Sequence, residues 1–359
     1  MNFTIERLIQ MKKLATILLA ISLFTMSACS NSGSGSDAGS ASDTSPASAG
    51  SQASAAVQPD SAAPEAVSIG IIQLADNGAF TDMREGFIAR MAELGYTGDK
   101  IDIDYKNAQG DTTTLNSICQ DMADSKKDLI VTIATPPTQA MVNLESGIPV
   151  FFISVSDPVA AGVITDMATP DKNATGTSNA IPVDEIFKLS DKLTPGVKTY
   201  GMIYNTSEIN SVNTVKKAQE YLDSIGVAYK EAVVTASSEV QQAAQSLVGS
   251  VDAIFVPNDS MIQSALPQVA EVANEAKIPL YGSSAVMVAH GALATISIDD
   301  TTIGSITAEM AHEFLNGTPI GDIPAVVVSQ FTTVINQTTA DAIGVALPQD
   351  LADSAVLMD

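Results

Sequence analysis

Two stretches of this chain carry the same order of elements, and that repetition restricts the fold more than any single motif. Residues 67–157 run through VSIGIIQ, AFTDMREGFIARMAELGYT, IDIDYKN, TTTLNSICQDMADS, LIVTIAT and IPVFFISVSDP. Residues 199–288 run through TYGMIYNTSE, SVNTVKKAQEYLDSIG, VAYKEAVVT, SEVQQAAQSLVGS, VDAIFVPND and IPLYGSSAVMV. Ile148-Pro149 and Ile278-Pro279 even open the last strand of each copy in the same way. Strand and helix patterns alternate in both copies, which favours a parallel sheet covered on both faces. The continuous apolar runs Leu129–Ala134, Val150–Ile153 and Ala253–Val256 fit strands buried on both sides. Met83, Phe87, Met91 and Leu94 recur at helical spacing, as do Val215, Ala218, Leu222 and Ile225, and they supply the covering faces. Gly95 and Gly226 stand where those helices should be capped. The expected architecture is α/β: two similar three-layer α/β/α lobes with parallel sheets and a cleft between them.

The first residues read as targeting rather than fold. Lys12 and Lys13 precede the apolar run LATILLAISLF, and small residues follow up to Cys29. A basic stretch, a short apolar stretch and a small-residue cleavage site describe a signal peptide over 1–28. Met26-Ser27-Ala28-Cys29 resembles the lipobox of bacterial lipoproteins, which implies that Cys29 becomes the lipidated first residue of the mature chain. From Cys29 to residue 66 the sequence is rich in Ser, Ala, Gly and Asp, without aromatics, and reads as a flexible tether. The expected product is extracytoplasmic and held at the cell membrane by its lipid. Roughly 290 residues remain, enough for two domains of ordinary size. The expected division gives 67–178 plus 292–322 to the first lobe and 179–291 plus 323–359 to the second, with Val183–Leu193 a helix just after the first crossing.

Several classes of function are disfavoured. A net charge of −24 argues against nucleic acid, which needs clustered Lys and Arg. Beyond Cys29 the one cysteine is Cys119, on a helical stretch where it reads as a small buried hydrophobe. With so few Cys and His there is no metal-ligand spacing. No Gly-x-Ser-x-Gly elbow, Walker-type phosphate loop or dinucleotide fingerprint occurs. Asp299-Asp300 offers paired carboxylates, but neighbours in an extended strand point to opposite faces. The expectation is a monomeric binding protein, not an enzyme, without cofactor or metal.

In open α/β sheets ligands bind beyond the carboxyl ends of the strands, and this rule selects candidates. The first copy offers Gln73, Asn77 and Phe80, then Thr135 and Pro136, then Ser156 and Asp157. The second offers Asn205, Ser207, Glu208 and Asn210, then Asn258 and Asp259, then Ser283. Asp299 stands at a further strand end. Helix starts near Thr138 and Asn210 suit a carboxylate. Glu208, Asp259, Asp157 or Asp299 suit an amine, and Phe80, Pro136 and Tyr204 offer apolar walls. Together these describe a zwitterion with an apolar side chain, which is an amino acid. A nucleoside or a small sugar is the alternative cargo, and sugar sites usually stack on aromatics that are scarce here.

The stretches MREGFIARMAELGY, IDYKNAQGD, ATPPTQA, SDPVAAGVI, NATGTSNAIPV, YNTSEINSV, SSEVQQAAQSLVGSVDAIFVPNDS and VANEAKIPLYGSS carry a resemblance. Over about residues 67–344 the chain is similar to the substrate-binding lipoproteins of ABC transporters, in the group that includes tryptophan-binding members. The resemblance implies a type I periplasmic-binding-protein fold and delivery of ligand to a permease with a cytoplasmic ATPase. It also implies an aromatic or other apolar L-amino acid as cargo, with Thr135, Ser156, Asn205, Ser207, Glu208, Asn210 and Asp259 holding its polar groups. The same fold acting as a sensor for a membrane receptor is the other role it allows.

Overall fold

The computed structural model describes residues 66–180 and 182–359. The expected signal peptide, Cys29 and all of the tether but its last residue lie outside the described residues. Among the described residues no helix is long and apolar enough to cross a membrane.

The first half builds β1 (Val67–Gln73), α1 (Gly78–Glu93), β2 (Ile101–Asn107), α2 (Thr112–Ala123), β3 (Leu129–Ile133), α3 (Thr135–Val142), β4 (Val150–Ile153) and β5 (Ala174–Ser178). Then follow α4 (Val183–Leu193), β6 (Thr199–Asn205), α5 (Ile209–Ile225), β7 (Ala228–Val234), α6 (Val240–Leu247) and β8 (Ala253–Phe255). Next are α7 (Ser260–Ser264), α8 (Leu266–Glu275), β9 (Leu280–Tyr281), α9 (Ala285–Ala289) and β10 (Ala294–Ser297). The chain ends with α10 (Asp300–Leu315), β11 (Val326–Val327), β12 (Thr332–Asn336), α11 (Gln337–Ile343), α12 (Gln349–Ser354) and β13 (Val356–Met358).

These strands form two sheets, β11-β5-β4-β3-β1-β2 and β13-β12-β10-β9-β8-β6-β7. In both, the first strand of the copy lies between its second and third, so the repetition in sequence is a repetition in topology. The first sheet is parallel throughout. The second is parallel except where β12 runs against β10. Alternate residues of each buried strand face opposite helix layers, as the period-2 pleat requires. Val131, Ile133 and Phe151 pack with Phe87, Met91 and Ile303, whereas Ile130 and Phe152 pack with Leu115, Cys119 and Met141. In the second lobe Ile254 and Val256 pack with Val240 and Val269, and Phe255 and Met202 pack with Phe187 and Leu222. Burial pushes the Cys119 thiol up to about 12, so it acts as the small hydrophobe its position implies.

The boundary between lobes differs from the sequence expectation at two places. Ala294–Ser297, assigned above to the first lobe, pairs with β9 and β12 in the second sheet. Val326–Val327, assigned to the second, pairs with Thr177 and Ser178 in the first. Ala174–Ser178 form a buried strand of the first sheet, and the first crossing follows them. The chain therefore passes between lobes after β5, after β10 and after β11. The shift has a simple cause, since hydrogen-bonded register rather than local pattern decides which sheet a short strand joins.

α10 returns to the first lobe and lies against α1 at very short range. A Cβ on Gly304 would fall 2.0 Å from the Met83 carbonyl oxygen, and one on Gly86 would fall 2.2 Å from that of Thr301. The two glycines let the helix backbones touch, and the contact sets the first turn of α10 beside Phe80 and Met83.

Candidate functional site

The carboxyl ends of β3, β4, β8, β9 and β10 converge on a cleft between the lobes. Its inner chamber is lined on the first lobe by Phe80, Met83, Ala134, Thr135, Ser154, Ser156 and Ile303, with Asp300 at the start of α10. The second lobe contributes Asn210, Asn258, Asp259, Ser260, Gln263 and Ser283, and the crossings supply Asn179 and Ile298. The inner cavity volume is about 40 Å³, room for little more than water unless the lobes part. An outer chamber of about 680 Å³ opens beyond it, bordered by Pro136, Gln139, Asn205, Ser207 and Glu208.

The lobes are tied across the cleft. Asn258 Nδ2 donates to Ser156 Oγ, which itself donates to Asn179 Oδ1 at 3.0 Å. Lys217 Nζ lies 3.3 Å from Asp157 Oδ2 on the other lobe.

Two strand ends on the first lobe hold unusual backbone. Ala134 has φ 79° and Ser154 has φ 65°, a region that non-glycine residues occupy at a cost of about 1–3 kcal/mol. The turn at Ala134 starts α3 immediately after β3 and brings Thr135 into the chamber. Thr135 and Ser154 line the chamber, and their hydroxyls make no hydrogen bond within the protein among the described residues, which leaves them free to donate to a ligand.

The acidic residues divide by what already surrounds them. Asp259 caps α7, with Oδ1 accepting from Ile262 N at 3.0 Å and Oδ2 from Asn205 N at 2.7 Å and Ser211 Oγ at 2.6 Å. Glu208 accepts from Asn210 Nδ2 at 3.3 Å, Ser260 N at 3.1 Å and Met261 N at 3.2 Å. Burial and the neighbouring Asp259 carboxyl push the Glu208 pKa up, and burial pushes that of Asp259 up as well. Asp300 is different. Its half-buried carboxylate has no hydrogen-bond or ion-pair partner among the described residues, and it borders Phe80, Met83 and Ile303 in the chamber. Burial, then Asp82 and Asp299, raise its pKa to about 7.

Of the residues selected from sequence, Phe80, Thr135, Ser156, Asn210, Asn258, Asp259 and Ser283 line the inner chamber. Pro136, Asn205, Ser207 and Glu208 border the outer one. Four line neither. Gln73 is buried beneath the site, donating to Ala75 O and accepting from Arg84 Nη1. Asn77 caps α1, Asp299 caps α10, and Asp157 is spent on Lys217. The candidate set left out Ser154, which stands at a strand end, and Met83, Asn179, Gln263 and Asp300. Asp300 lies one residue beyond a selected position, and Gln263 lies a full turn into its helix. Among the described residues no group of three or more His, Cys, Asp or Glu is arranged to hold a metal ion.

Known proteins of the same build exist. Residues 68–358 match the family model described as ABC transporter substrate binding protein. A tyrosine-binding protein of Clostridioides difficile (strain R20291) is 40% identical over 277 residues, covering 77% of this chain and 80% of that one. A Streptococcus pneumoniae ABC domain solved in complex with L-Trp is 30% identical and superposes with a TM-score of 0.80, over 82% of this chain and all of that one. The ligand-free, open structure of a Clostridium difficile substrate-binding protein with adhesive properties is more similar in sequence, at 37%, over 82% of this chain and 99% of that one. It nevertheless superposes less well, with a TM-score of 0.64. Better agreement with the complex than with the open form, together with the ties across the cleft, identifies the described conformation as closed. Sugar- and inositol-binding proteins at about 16% identity share the fold alone.

Proposed function

The chain belongs to the ABC transporter substrate-binding protein family, and we propose that it captures a free aromatic L-amino acid between its lobes for import. Proteins of this family work outside the cytoplasm. The observation that carries the cargo is the pairing of an unpartnered carboxylate with an apolar wall. Asp300 offers an ammonium group its counter-ion, and Phe80, Met83, Ile298 and Ile303 offer an aromatic ring its surface. The free hydroxyls of Thr135 and Ser154, with the start of α3, suit the α-carboxylate. The relatives that bind tyrosine and tryptophan support the same reading.

Capture proceeds by hinged closure. The head group docks on the first lobe, and the second swings over the side chain, bringing Asn258 to Ser156 and Lys217 to Asp157. Ligand contacts present only in the closed state supply the shift in population. The closed form is what a permease and its ATPase receive, with the carrier tethered by a lipid on Cys29.

Calorimetric titration of the mature protein against L-tyrosine, L-tryptophan, L-phenylalanine, aliphatic amino acids, nucleosides and sugars tests the reading. Binding confined to aromatic amino acids is the expected result. Saturable binding of a nucleoside or sugar alone would overturn the cargo and keep the carrier.

A further inference from the structure

Most buried polar side chains around the cleft are satisfied by their own neighbours, but two buried amide atoms in the lining of the inner chamber are not. Asn210 Oδ1 and Gln263 Nε2 are buried with no partner among the described residues, on side chains only 6% and 5% exposed. Both residues belong to the second lobe and line the inner chamber.

Local bonds fix which end of each amide is free. Asn210 Nδ2 donates to the Asn258 carbonyl oxygen at 2.7 Å and to Glu208 Oε2 at 3.3 Å, so Oδ1 is the free acceptor. The Ser284 hydroxyl accepts from Met287 N and donates to Gln263 Oε1 at 3.1 Å, so Nε2 is the free donor. An unpaired buried donor or acceptor costs about 1–3 kcal/mol, and a bound group that pairs with it recovers that cost.

One free acceptor and one free donor match a group that does both, which is a hydroxyl. A carboxylate alone only accepts and an ammonium alone only donates, so neither by itself serves both atoms, and the reading above places the two together on the first lobe. Charge separates the cases further. Asn210 rests on Glu208, and Asp259 caps the helix that carries Gln263. An anionic group at this face would add to the cost of ionising those buried carboxyls, whereas a neutral hydroxyl would not. The indole N–H of tryptophan serves only the acceptor, and the ring of phenylalanine serves neither.

Resting on the amino-acid reading above, we infer that Asn210 and Gln263 recognise the phenolic hydroxyl of bound L-tyrosine and select it over phenylalanine and tryptophan. The first lobe holds the head group that all three share. The second lobe reads the far end of the side chain, and does so only as the cleft closes. A site built to pair with a ligand hydroxyl discriminates against analogues without one, because its own polar atoms are then left unpaired.

Calorimetric titration of the mature protein with L-tyrosine, L-phenylalanine and L-tryptophan, repeated on Gln263→Met and Asn210→Ser, tests this. The parent is expected to bind tyrosine at least about tenfold more tightly than phenylalanine. Either substitution should weaken tyrosine about tenfold while leaving phenylalanine within about twofold, so that the preference collapses. Both ligands are titrated into the same preparation, so a loss of folded fraction alters neither their ratio nor the conclusion. Equal affinity of the parent for tyrosine and phenylalanine would overturn the hydroxyl role and leave the aromatic carrier standing. Equal weakening of both ligands in the variants would place the two amides on the head group and overturn the inference too. No binding of any of the three would overturn the aromatic reading and the inference with it.

Discussion

A carboxylate in the first turn of a helix gains from the helix dipole, yet Asp300 loses more than it gains. Burial and the charges of Asp82 and Asp299 raise its pKa from 3.8 to about 7. Between those values the folded chain binds more protons than the unfolded one, so Asp300 makes the ligand-free protein less stable as pH rises from about 4 to about 7. A bound ammonium reverses the preference, because it stabilises the ionised form. Amino-acid affinity should therefore fall as pH drops below about 7. Asp300→Asn should bind at least about tenfold more weakly at pH 8 and lose that part of the pH dependence. Titration calorimetry between pH 5 and 8 reads both effects, and a flat profile in the parent would remove Asp300 from the amine. At this scale the sequence was informative about position and poor about role. Strand ends marked Thr135, Ser156 and Asn258, which line the inner chamber. Nothing local told Asp299 from Asp300, since the cap points back along the helix while the next residue faces the chamber. Asp259 has the residue type and position of a ligand carboxylate, but those are equally the marks of a helix cap.

Among elements, the contact of α1 with α10 does most to place the site. Gly304 and Gly86 allow it, and neither is recognisable from sequence, because the residues they accommodate are more than two hundred positions away. Gly304→Ala would drive a Cβ to 2.0 Å from the Met83 carbonyl oxygen, a methyl against backbone with no rotamer to yield. The expected cost is about 2 kcal/mol or more, read as a drop in melting temperature. Ligand binding should weaken as well, since Phe80 and Asp300 ride on the two displaced helices. A variant with unchanged melting would mean that the helices separate freely. The alternation of strand and helix was legible throughout: β1, β2 and α4 fall on the residues that hydrophobic period selects. Short strands were not. β11 has only two paired residues, and its place in the first sheet comes from register with β5 rather than from its own sequence.

At the level of the whole molecule, closure joins surfaces that are otherwise apart. The Lys217–Asp157 pair spans the lobes, but the lysine side chain is 53% exposed, so the pair adds only about 0–1 kcal/mol. Lys217→Gln should accordingly raise the ligand Kd by no more than about fivefold, with the difference fading at high salt. A larger and salt-insensitive loss would show that the pair, rather than the ligand, holds the cleft shut. The duplicated sequence foretold two lobes and a cleft, while the points of passage between them depended on pairing that no single stretch encodes. Those three passages have a further consequence. Each lobe is assembled from separated runs of the chain, so no single cut in the gene isolates one of them. Recombination could graft a new half onto this carrier only by exchanging several segments at once, in matching places. Trading a lobe therefore takes several matched exchanges, whereas a single substitution along the cleft walls changes what it accepts at once.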